Sequence, residues 1–387
     1  MRTKLLILFS LLIPIPIALL FTYPRYTEQD DFNMLQQYLS IKEDRLSVMT
    51  FNIRLDGIER DLNNHFTKRI SRLTKTIESW QPAILGVQEP FAGQLLHWHS
   101  HLPNYYQYVG YRYHSMNKKH QTISSEQDFQ VAILYNEQRL ELLEHDYLWL
   151  SKTPRTVGSK DWNSHGVRTL NIARFKLINT DLPTEVLVFN THLDVQSEQA
   201  RQEQSKLIRS TINQWQEKYP SAAVLLLGDF NSMPNQTTYQ ILTFSDFLRD
   251  TWIECKSHAT DCLSNVFSST FHGWFGALVH TYGIQLLQTI LFTFHGTGVQ
   301  IPYNIPTHYS DYIDVIKELF KFCRLLNWSD MISSWSSHRF HVDWILYRNS
   351  LDRSRYLQPR FISVVDVRSG NYSSDHFPVI ALFDYRP

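Results

Sequence analysis

The sequence lacks an excess of charge of either sign, because its 387 residues contain 37 Lys and Arg and 37 Asp and Glu. Proteins that bind nucleic acid broadly carry a basic excess, so the composition gives no support for that class, although a local basic patch is compatible with it. Also missing are a phosphate-binding glycine loop, a serine nucleophile elbow, a Cys/His zinc cluster, internal repeats and low-complexity tracts. What remains is a globular composition in a chain long enough for two domains or for one large α/β domain.

Cysteine is scarce, and the three residues present leave two arrangements open. Cys255 and Cys262 are close enough in the sequence to close a short loop as a disulfide, which leaves Cys323 unpaired. Three unpaired thiols are the equal alternative. A disulfide would fit an exported, oxidising compartment.

The N-terminus carries an apolar run at residues 5–21, preceded by Arg2 and Lys4. The run is at the lower limit for crossing a bilayer, and the positive charge before it favours export of the rest of the chain. We expect residues 1–24 to be an uncleaved signal anchor or a cleaved signal peptide, with a buried soluble helix as a third alternative. Either of the first two predicts a membrane-anchored or secreted protein whose body follows a polar linker at 25–44.

The body begins with a β-α-β pattern. Residues 45–55 and 83–89 read as buried strands. Residues 66–80 between them place apolar side chains at helical spacing on one face, with a basic group on the solvent side: Lys68, Arg69, Arg72 and Lys75. This pattern predicts a parallel strand pair covered by a helix.

Later strands form a second group, and a long helix is predicted from about 196 to 217. Two groups of strands with helices outside predict two sheets packed face to face. Residues 275–339 interrupt this rhythm with apolar and aromatic sequence of weak pattern. We expect extra helices packed on the domain there, the alternative being a flap that faces membrane or substrate.

Six apolar strands deliver polar side chains at one end, which is hard to explain by turns alone. These side chains are Asn52, Glu89, His192 with Asp194, Asp229 with Asn231, Asp343, and Asp375 with His376. A hard cation such as Mg²⁺ takes carboxylate oxygens, and Glu89 is its natural ligand here, helped by Asn52, with Asp343 or Asp375 as a further candidate. An Asp and Asn pair can polarise an attacking water, and two imidazoles steadied by carboxylates can donate protons or hold phosphoryl oxygens.

The segment VLLLGDFNSM, residues 224–233, shows this pattern most clearly. Period 2 in a strand would place Asp229 and Asn231 on one face and turn Phe230 into the core. The simpler interpretation is a strand followed by an Asp/Asn turn. The other is a polar pair held by a rigid strand end at the rim of a sheet, where α/β proteins place their sites. The segment alone does not decide between them.

These blocks, in this order, resemble the endonuclease/exonuclease/phosphatase superfamily. GDFN and SDHFP carry the resemblance, QE and NTHLD reinforce it, and it covers about residues 46–385. LWLSKTP and TFHGW are similar to the uncharacterised bacterial branch, from which the insertion at 275–339 departs. The resemblance implies an α/β fold in one domain at 45–387, a four-layer sandwich of two mixed β-sheets packed face to face and flanked by helices.

The resemblance also implies hydrolysis of a phosphoester by water, dependent on Mg²⁺ or on Mn²⁺ in its place, without a covalent intermediate. Carried over position by position, Glu89 and Asn52 bind the metal. Asp229 orients or deprotonates the water, and Asn231 positions the water and a phosphoryl oxygen. These roles are expectations from the resemblance.

By the same resemblance, His192 contacts the phosphate or protonates the leaving group. His376, paired to Asp343 or Asp375, completes the phosphate cradle. Both histidines are therefore expected beside the metal and water residues.

Arg168 and Asp194 are expected to contact the substrate. That substrate would be nucleic acid, a small phosphorylated molecule or, as the alternative, a phospholipid headgroup as in sphingomyelinases. A catalytically inactive binding module of the same fold is the alternative outside enzymes. We expect a monomer, tethered to a membrane through residues 5–21 where that segment is retained.

Overall fold

The computed structural model describes residues 28–56, 62–110, 131–178, 184–234, 236–264, 270–271, 341–365 and 372–386. The N-terminal segment 1–24 and the whole insertion at 275–339, which includes Cys323, lie outside these residues. Their predictions therefore stay predictions. No helix among the described residues is long and apolar enough to cross a membrane.

The predicted β-α-β start is confirmed. Strands β1 (Leu46–Asn52) and β2 (Ile84–Gln88) are buried along their whole length and pair in parallel, with Asn52 opposite Gln88. Helix α2 (Phe66–Trp80) joins them and buries its apolar face. It ends at Gln81, which has the left-handed conformation that terminates a helix.

The described strands form two mixed sheets. The other strands are β3 (Tyr106–Gly110), β4 (Val131–Asn136), β5 (Leu140–Trp149), β6 (Thr169–Leu177), β7 (Glu185–His192), β8 (Ala223–Asp229), β9 (Arg249–Asp250), β10 (Leu263–Ser264), β11 (Asp343–Arg348), β12 (Tyr356–Val364) and β13 (Val379–Arg386). The seven-stranded sheet has the order β10-β12-β13-β1-β2-β4-β3, and the six-stranded sheet has the order β5-β6-β7-β8-β11-β9.

Helices cover the outer face of each sheet. They are α1 (Glu28–Ile41), α2, α3 (Ala92–His99), α4 (Glu198–Lys218) and α5 (Thr237–Thr243). Helix α6 (Thr251–Ser257) instead packs Trp252 and Cys255 into the cluster between the sheets. One apolar cluster fills the space between the sheets, and two others lie between a sheet and its helices. The four-layer α/β sandwich is therefore confirmed.

The stretch predicted as a linker, 25–44, contains helix α1. Tyr38 of this helix is fully buried, its hydroxyl donates to the Trp80 carbonyl at 2.7 Å, and its ring packs on Phe361. Met34, Leu35 and Ile41 pack against the same cluster. An apolar stripe at helical spacing therefore docks these residues on the domain, and the prediction of a linker does not hold for them.

Arg69 of α2 was predicted on the solvent side, and this prediction is wrong because the residue is fully buried. Its guanidinium donates to the carbonyls of Ile53 at 2.6 Å and Ser373 at 2.8 Å. Carbonyl oxygens that lack a partner after a strand end are thereby satisfied. Arg69 ties the end of β1 to the loop that precedes β13.

Cys255 of α6 and Cys262 form a disulfide. Of the two arrangements left open by the sequence, the structure has the paired one for these residues. The bond fastens α6 to the short connection that leads into β10.

Candidate active site

The strand registers bring the predicted polar ends together. β7 and β8 are parallel with His192 opposite Asp229, and the antiparallel β11 places Asp343 opposite Asp229 on the other side. The parallel β1 and β2 end at the same edge of the other sheet. Both sheets therefore deliver their polar residues to one edge of the sandwich.

Asn52 links the two sheets across this edge. Its amide nitrogen donates to Glu89 Oε1 at 3.0 Å and to Asp229 Oδ2 at 2.9 Å. Its amide oxygen accepts from the backbone N–H of Arg54 at 3.0 Å. With the amide in this orientation, Asn52 orients two carboxylates. Its role as a metal ligand stays a prediction.

Glu89 follows β2 in the left-handed conformation, with φ of 67°. Its second oxygen accepts from the backbone N–H of Leu55 at 3.2 Å. Burial opposes ionisation, but the charges of Arg54 and His376 and the hydrogen bond from Asn52 lower the pKa of Glu89 to about 2. Glu89 is therefore ionised at neutral pH.

Asp229 faces the carboxylate of Asp343 across the β8–β11 pair. Burial and the charge of Asp343 raise the pKa of Asp229 to about 7, against the charge of His376 and the hydrogen bonds from the backbone of Asn231 and the side chain of Asn52. Like charges directly opposite each other destabilise a sheet, so this pair, taken by itself, lowers the stability of the fold.

His376 lies between these two carboxylates. Its Nδ1 is 2.9 Å from Asp343 Oδ2, and its Nε2 is 3.7 Å from Asp229 Oδ2. Burial opposes the charge, yet Asp343 and Asp229 raise the pKa of His376 to about 10. Of the two partners predicted for His376, the structure selects Asp343. The Phe271 ring packs at 4.9 Å from the imidazole.

His192 has the opposite electrostatic surroundings. Burial and the nearby charge of Arg168 lower the pKa of His192 well below its ordinary value. Its Nε2 is 2.8 Å from Asn231 Nδ2 and 3.6 Å from Asp229 Oδ2. A neutral imidazole whose Nε2 accepts from the Asn231 amide satisfies both observations.

Asn231 reaches the site through a turn. β8 ends at Asp229, and Asn231 has φ of 46°, so the pleat that was expected to align the two residues is absent. The backbone N–H of Asn231 donates to Asp229 Oδ1 at 2.9 Å, and Phe230 stacks on Trp344 at 4.4 Å. The turn is therefore present, and it directs both polar side chains to the same site.

Asp194 does not face the site. It is fully buried, and its oxygens accept from the backbone of His165 at 2.8 Å and of Ser197 at 2.7 Å and from the Ser164 hydroxyl. The predicted contact of Asp194 with substrate does not fit these surroundings. Arg168 Nε lies 3.8 Å from Asp194 Oδ2, so Asp194 helps to hold Arg168, the other residue predicted to contact the substrate.

Two residues of the site were not predicted from the sequence. Arg54 Nη1 lies 3.4 Å from Asp375 Oδ2 and 3.8 Å from Glu89 Oε2. The Ser374 hydroxyl donates to the Asn52 carbonyl at 2.6 Å. Ser374 begins the SDHFP motif and Arg54 follows β1, but a hydroxyl and a basic residue beside strands carry no specific signal by themselves.

The sequence profile of the Endonuclease/Exonuclease/phosphatase family matches residues 49–376. The chain belongs to this family. The matched range includes every polar side chain described at the shared edge. No curated protein matches the chain significantly.

Solved structures share the fold. An endonuclease/exonuclease/phosphatase family protein from Bacteroides thetaiotaomicron is 20% identical with a TM-score of 0.60, over 89% of this chain and 95% of its own. A mannosyl-6-phosphatase from the same organism is 20% identical with a TM-score of 0.58, over 87% and 99%. D. rerio TDP2, complexed with a single-strand DNA product, is 15% identical with a TM-score of 0.53, over 88% and 98%. At these identities the similarity shows the fold alone.

Members of the endonuclease/exonuclease/phosphatase family are typically dependent on a divalent metal, and the donor set of this chain fits one. Ligand atoms of Glu89, His192 and Asp229 lie within 4.8 Å of one another, as do those of Asp229, Asp343 and His376. Oδ1 of Asp343 is buried and accepts no hydrogen bond from the described residues. Carboxylate oxygens of this kind are the ligands that hard divalent cations prefer.

Proposed function

We propose that the chain is a metal-dependent phosphoester hydrolase in which water attacks the phosphorus in line. One observation carries this proposal: the Asn52 amide joins Glu89 of one sheet to Asp229 of the other in a buried site that also holds two histidines of opposite protonation. Membership of a family of phosphoester hydrolases supports it.

Glu89 is the residue best suited to hold the cation, since it is ionised and oriented by Asn52 and Leu55. Bound there, a divalent cation supplies positive charge against the phosphoryl oxygens. Asn52 then keeps Glu89 and Asp229 at a fixed separation. A change at Asn52 should therefore disturb both carboxylates.

Asp229 is the proposed base. A raised pKa of about 7 allows its carboxylate to take a proton from the attacking water near neutral pH. The hydrogen bonds from the Asn52 side chain and the Asn231 backbone hold the carboxylate in place while it does so. Proton transfer by a positioned side chain contributes typically about 10²- to 10⁴-fold in rate.

His376 and His192 take different parts. The imidazolium of His376, fixed by Asp343, can stabilise phosphoryl oxygens or give a proton to the leaving oxygen. The neutral His192 is poorly suited to proton donation. It positions the Asn231 amide, which can donate to a phosphoryl oxygen, and Arg168 adds a positive charge nearby.

The experiment that tests the proposal is a substrate panel with and without Mg²⁺. Plasmid DNA, RNA, sphingomyelin, inositol phosphates, a hexose 6-phosphate and bis(p-nitrophenyl) phosphate cover the classes of substrate expected for the fold. Hydrolysis of at least one class, abolished by chelation and by Asp229→Asn, is the expected result. If the wild type hydrolysed no class of substrate faster than Asp229→Asn does, the proposal would be contradicted.

We also propose that the enzyme acts on the exported side of a membrane. The apolar run at 5–21 after Arg2 and Lys4 supports this, and so does the disulfide of Cys255 and Cys262. A truncated chain that begins at residue 25 should be soluble without detergent and keep full activity. A truncated chain that no detergent renders soluble would contradict the tether, because the apolar run would then belong to the core.

A further inference from the structure

Arg54 lies just beyond the end of β1, between two acidic side chains of the site. Its Nη1 is 3.8 Å from Glu89 Oε2 and 3.4 Å from Asp375 Oδ2, and 15% of its side chain is exposed. Glu89 follows β2, whereas Asp375 lies in the loop before β13. The guanidinium is therefore placed where separate parts of the active site meet.

The backbone of Arg54 is held in an unfavourable conformation. Its φ is 58°, in the left-handed region that residues with a Cβ rarely adopt. Asn52 Oδ1 accepts from its N–H at 3.0 Å, and its carbonyl accepts from Gln94 at 2.7 Å and from Arg69 at 3.0 Å. Strain of this kind persists where surrounding groups over-determine the backbone, and it is concentrated at functional sites.

The position of the guanidinium has two electrostatic consequences of opposite sign. A cation bound by Glu89 would have the positive charge of Arg54 as a close neighbour, which weakens binding of the free cation. A phosphoryl group bound beside the same cation would meet a planar donor fork suited to two of its oxygens. An arginine that only tied Glu89 to Asp375 would show the first consequence but not the second.

We propose that Arg54 is a phosphate-contacting residue, held beside the metal-binding carboxylate so that it strengthens phosphate binding and weakens binding of the free divalent cation. The inference rests on the proposed function, since it assigns a further residue to the same site. It predicts that one substitution changes two affinities in opposite directions. A loss of local structure would lower both.

Two binding measurements on the full chain test this, with Mn²⁺ as the metal probe and inorganic phosphate as the anion probe. Arg54→Gln should bind Mn²⁺ about three- to tenfold more tightly than the wild type, because a like charge is removed. The Mn²⁺-loaded variant should bind phosphate about 10- to 100-fold more weakly, because a charge-assisted bidentate contact is lost. Titration calorimetry measures both without turnover.

Two further variants complete the design. Arg54→Lys keeps the charge without the planar fork, so Mn²⁺ affinity should stay at the wild-type value while phosphate affinity falls severalfold. Arg155→Gln removes an exposed arginine that is paired with Asp146, and it should change neither affinity. If Arg54→Gln does not fold, Arg54→Lys still tests the phosphate contact.

The proposal is overturned if Arg54→Gln binds Mn²⁺ no more tightly than the wild type, or if neither Arg54 variant loses phosphate affinity. A lower Tm together with weaker binding of both probes would assign Arg54 a purely structural part. A wild-type protein whose Mn²⁺ binding does not depend on Glu89 would overturn the proposed function together with this inference. Normal wild-type binding with an unaffected Arg54→Gln would overturn this inference alone.

Discussion

Asp229 and Asp250 are two buried carboxyl groups of the same six-stranded sheet, and both have raised pKa values, about 7 and about 6. Burial is the largest cause in each case. The side chain of Asp250 accepts from the backbone N–H of Trp252 at 2.8 Å, which caps α6, and from the Tyr239 hydroxyl at 3.0 Å. Asp229 is surrounded instead by a second carboxylate, two imidazoles and the Asn52 amide.

The difference shows that a raised pKa alone does not mark an active site. A buried carboxyl group that caps a helix acquires such a shift from desolvation, and its partners are a backbone amide and a phenol. At Asp229 a second carboxylate adds to the shift, and residues from both sheets converge on it. Convergence of several titratable groups is therefore the observation that identifies the site.

The largest expected effect separates the two members of the turn at the end of β8. Asp229→Asn should lower kcat by about 10²- to 10⁴-fold, because the group that takes the proton from water is lost. Asn231→Asp should lose less, since it keeps an acceptor and loses only a donor. Side-by-side rates at saturating Mg²⁺ from pH 6 to pH 9 measure this. Greater residual activity in Asp229→Asn than in Asn231→Asp throughout that range would place the base elsewhere.

A smaller effect is expected from Asp343→Asn, which removes a charge that raises the pKa of His376 to about 10. A raised pKa keeps His376 protonated below pH 10, so an activity that needs the imidazolium declines only above that pH. In the variant the alkaline decline of kcat should move toward neutral pH. An alkaline limb identical to that of the wild type would show that the charge of His376 has no part in the rate.

Asp250→Asn should change stability and leave activity unaffected. The pKa of Asp250 is about 6 in the folded protein and 3.8 without burial, so the folded state binds more protons between these values and stability falls as pH rises from 4 to 6. The free energy of unfolding of the variant should rise relative to the wild type by about 3 kcal/mol across this window. Denaturant unfolding at pH 4, 5, 6 and 7 measures it. A difference that does not vary with pH would contradict the raised pKa.

The smallest effect is expected from Tyr239→Phe, which removes the phenol hydrogen bond to Asp250 and leaves the ring packed on Trp344. The free energy of unfolding should fall by about 1 kcal/mol, with kcat within about twofold of the wild type. A large loss of activity in this variant would remove the distinction between the two carboxyl groups.

Much of this organisation follows from strand periodicity and the order of motifs. The parallel start, the two sheets and the polar strand ends were predicted because buried strands have an alternating or continuous apolar pattern that is visible locally. Strand β5 was not, since much of it is only half-buried and its pattern is weak. Helix α1 was also missed, because its apolar stripe lies within a polar stretch.

The errors at the site have a different origin. The sequence pattern places Arg69 on the solvent side of its helix, whereas in the structure its guanidinium donates to the carbonyls of Ile53 and Ser373. Arg54 is recognised as a residue of the site only from its contacts with Glu89 and Asp375, which come from separate parts of the chain. Contacts between residues that are distant in the sequence are set by tertiary packing, which local propensity does not encode.

The central claim is that Glu89 binds the metal on which hydrolysis depends, and a Mg²⁺ titration of wild type and Glu89→Gln tests it most directly. With bis(p-nitrophenyl) phosphate, or whichever substrate the panel identifies, wild-type activity should saturate with Mg²⁺. Glu89→Gln should require far more Mg²⁺ and remain well below the wild-type rate, while its circular dichroism spectrum and Tm match the wild type. Wild-type turnover by Glu89→Gln at limiting Mg²⁺ would contradict the account.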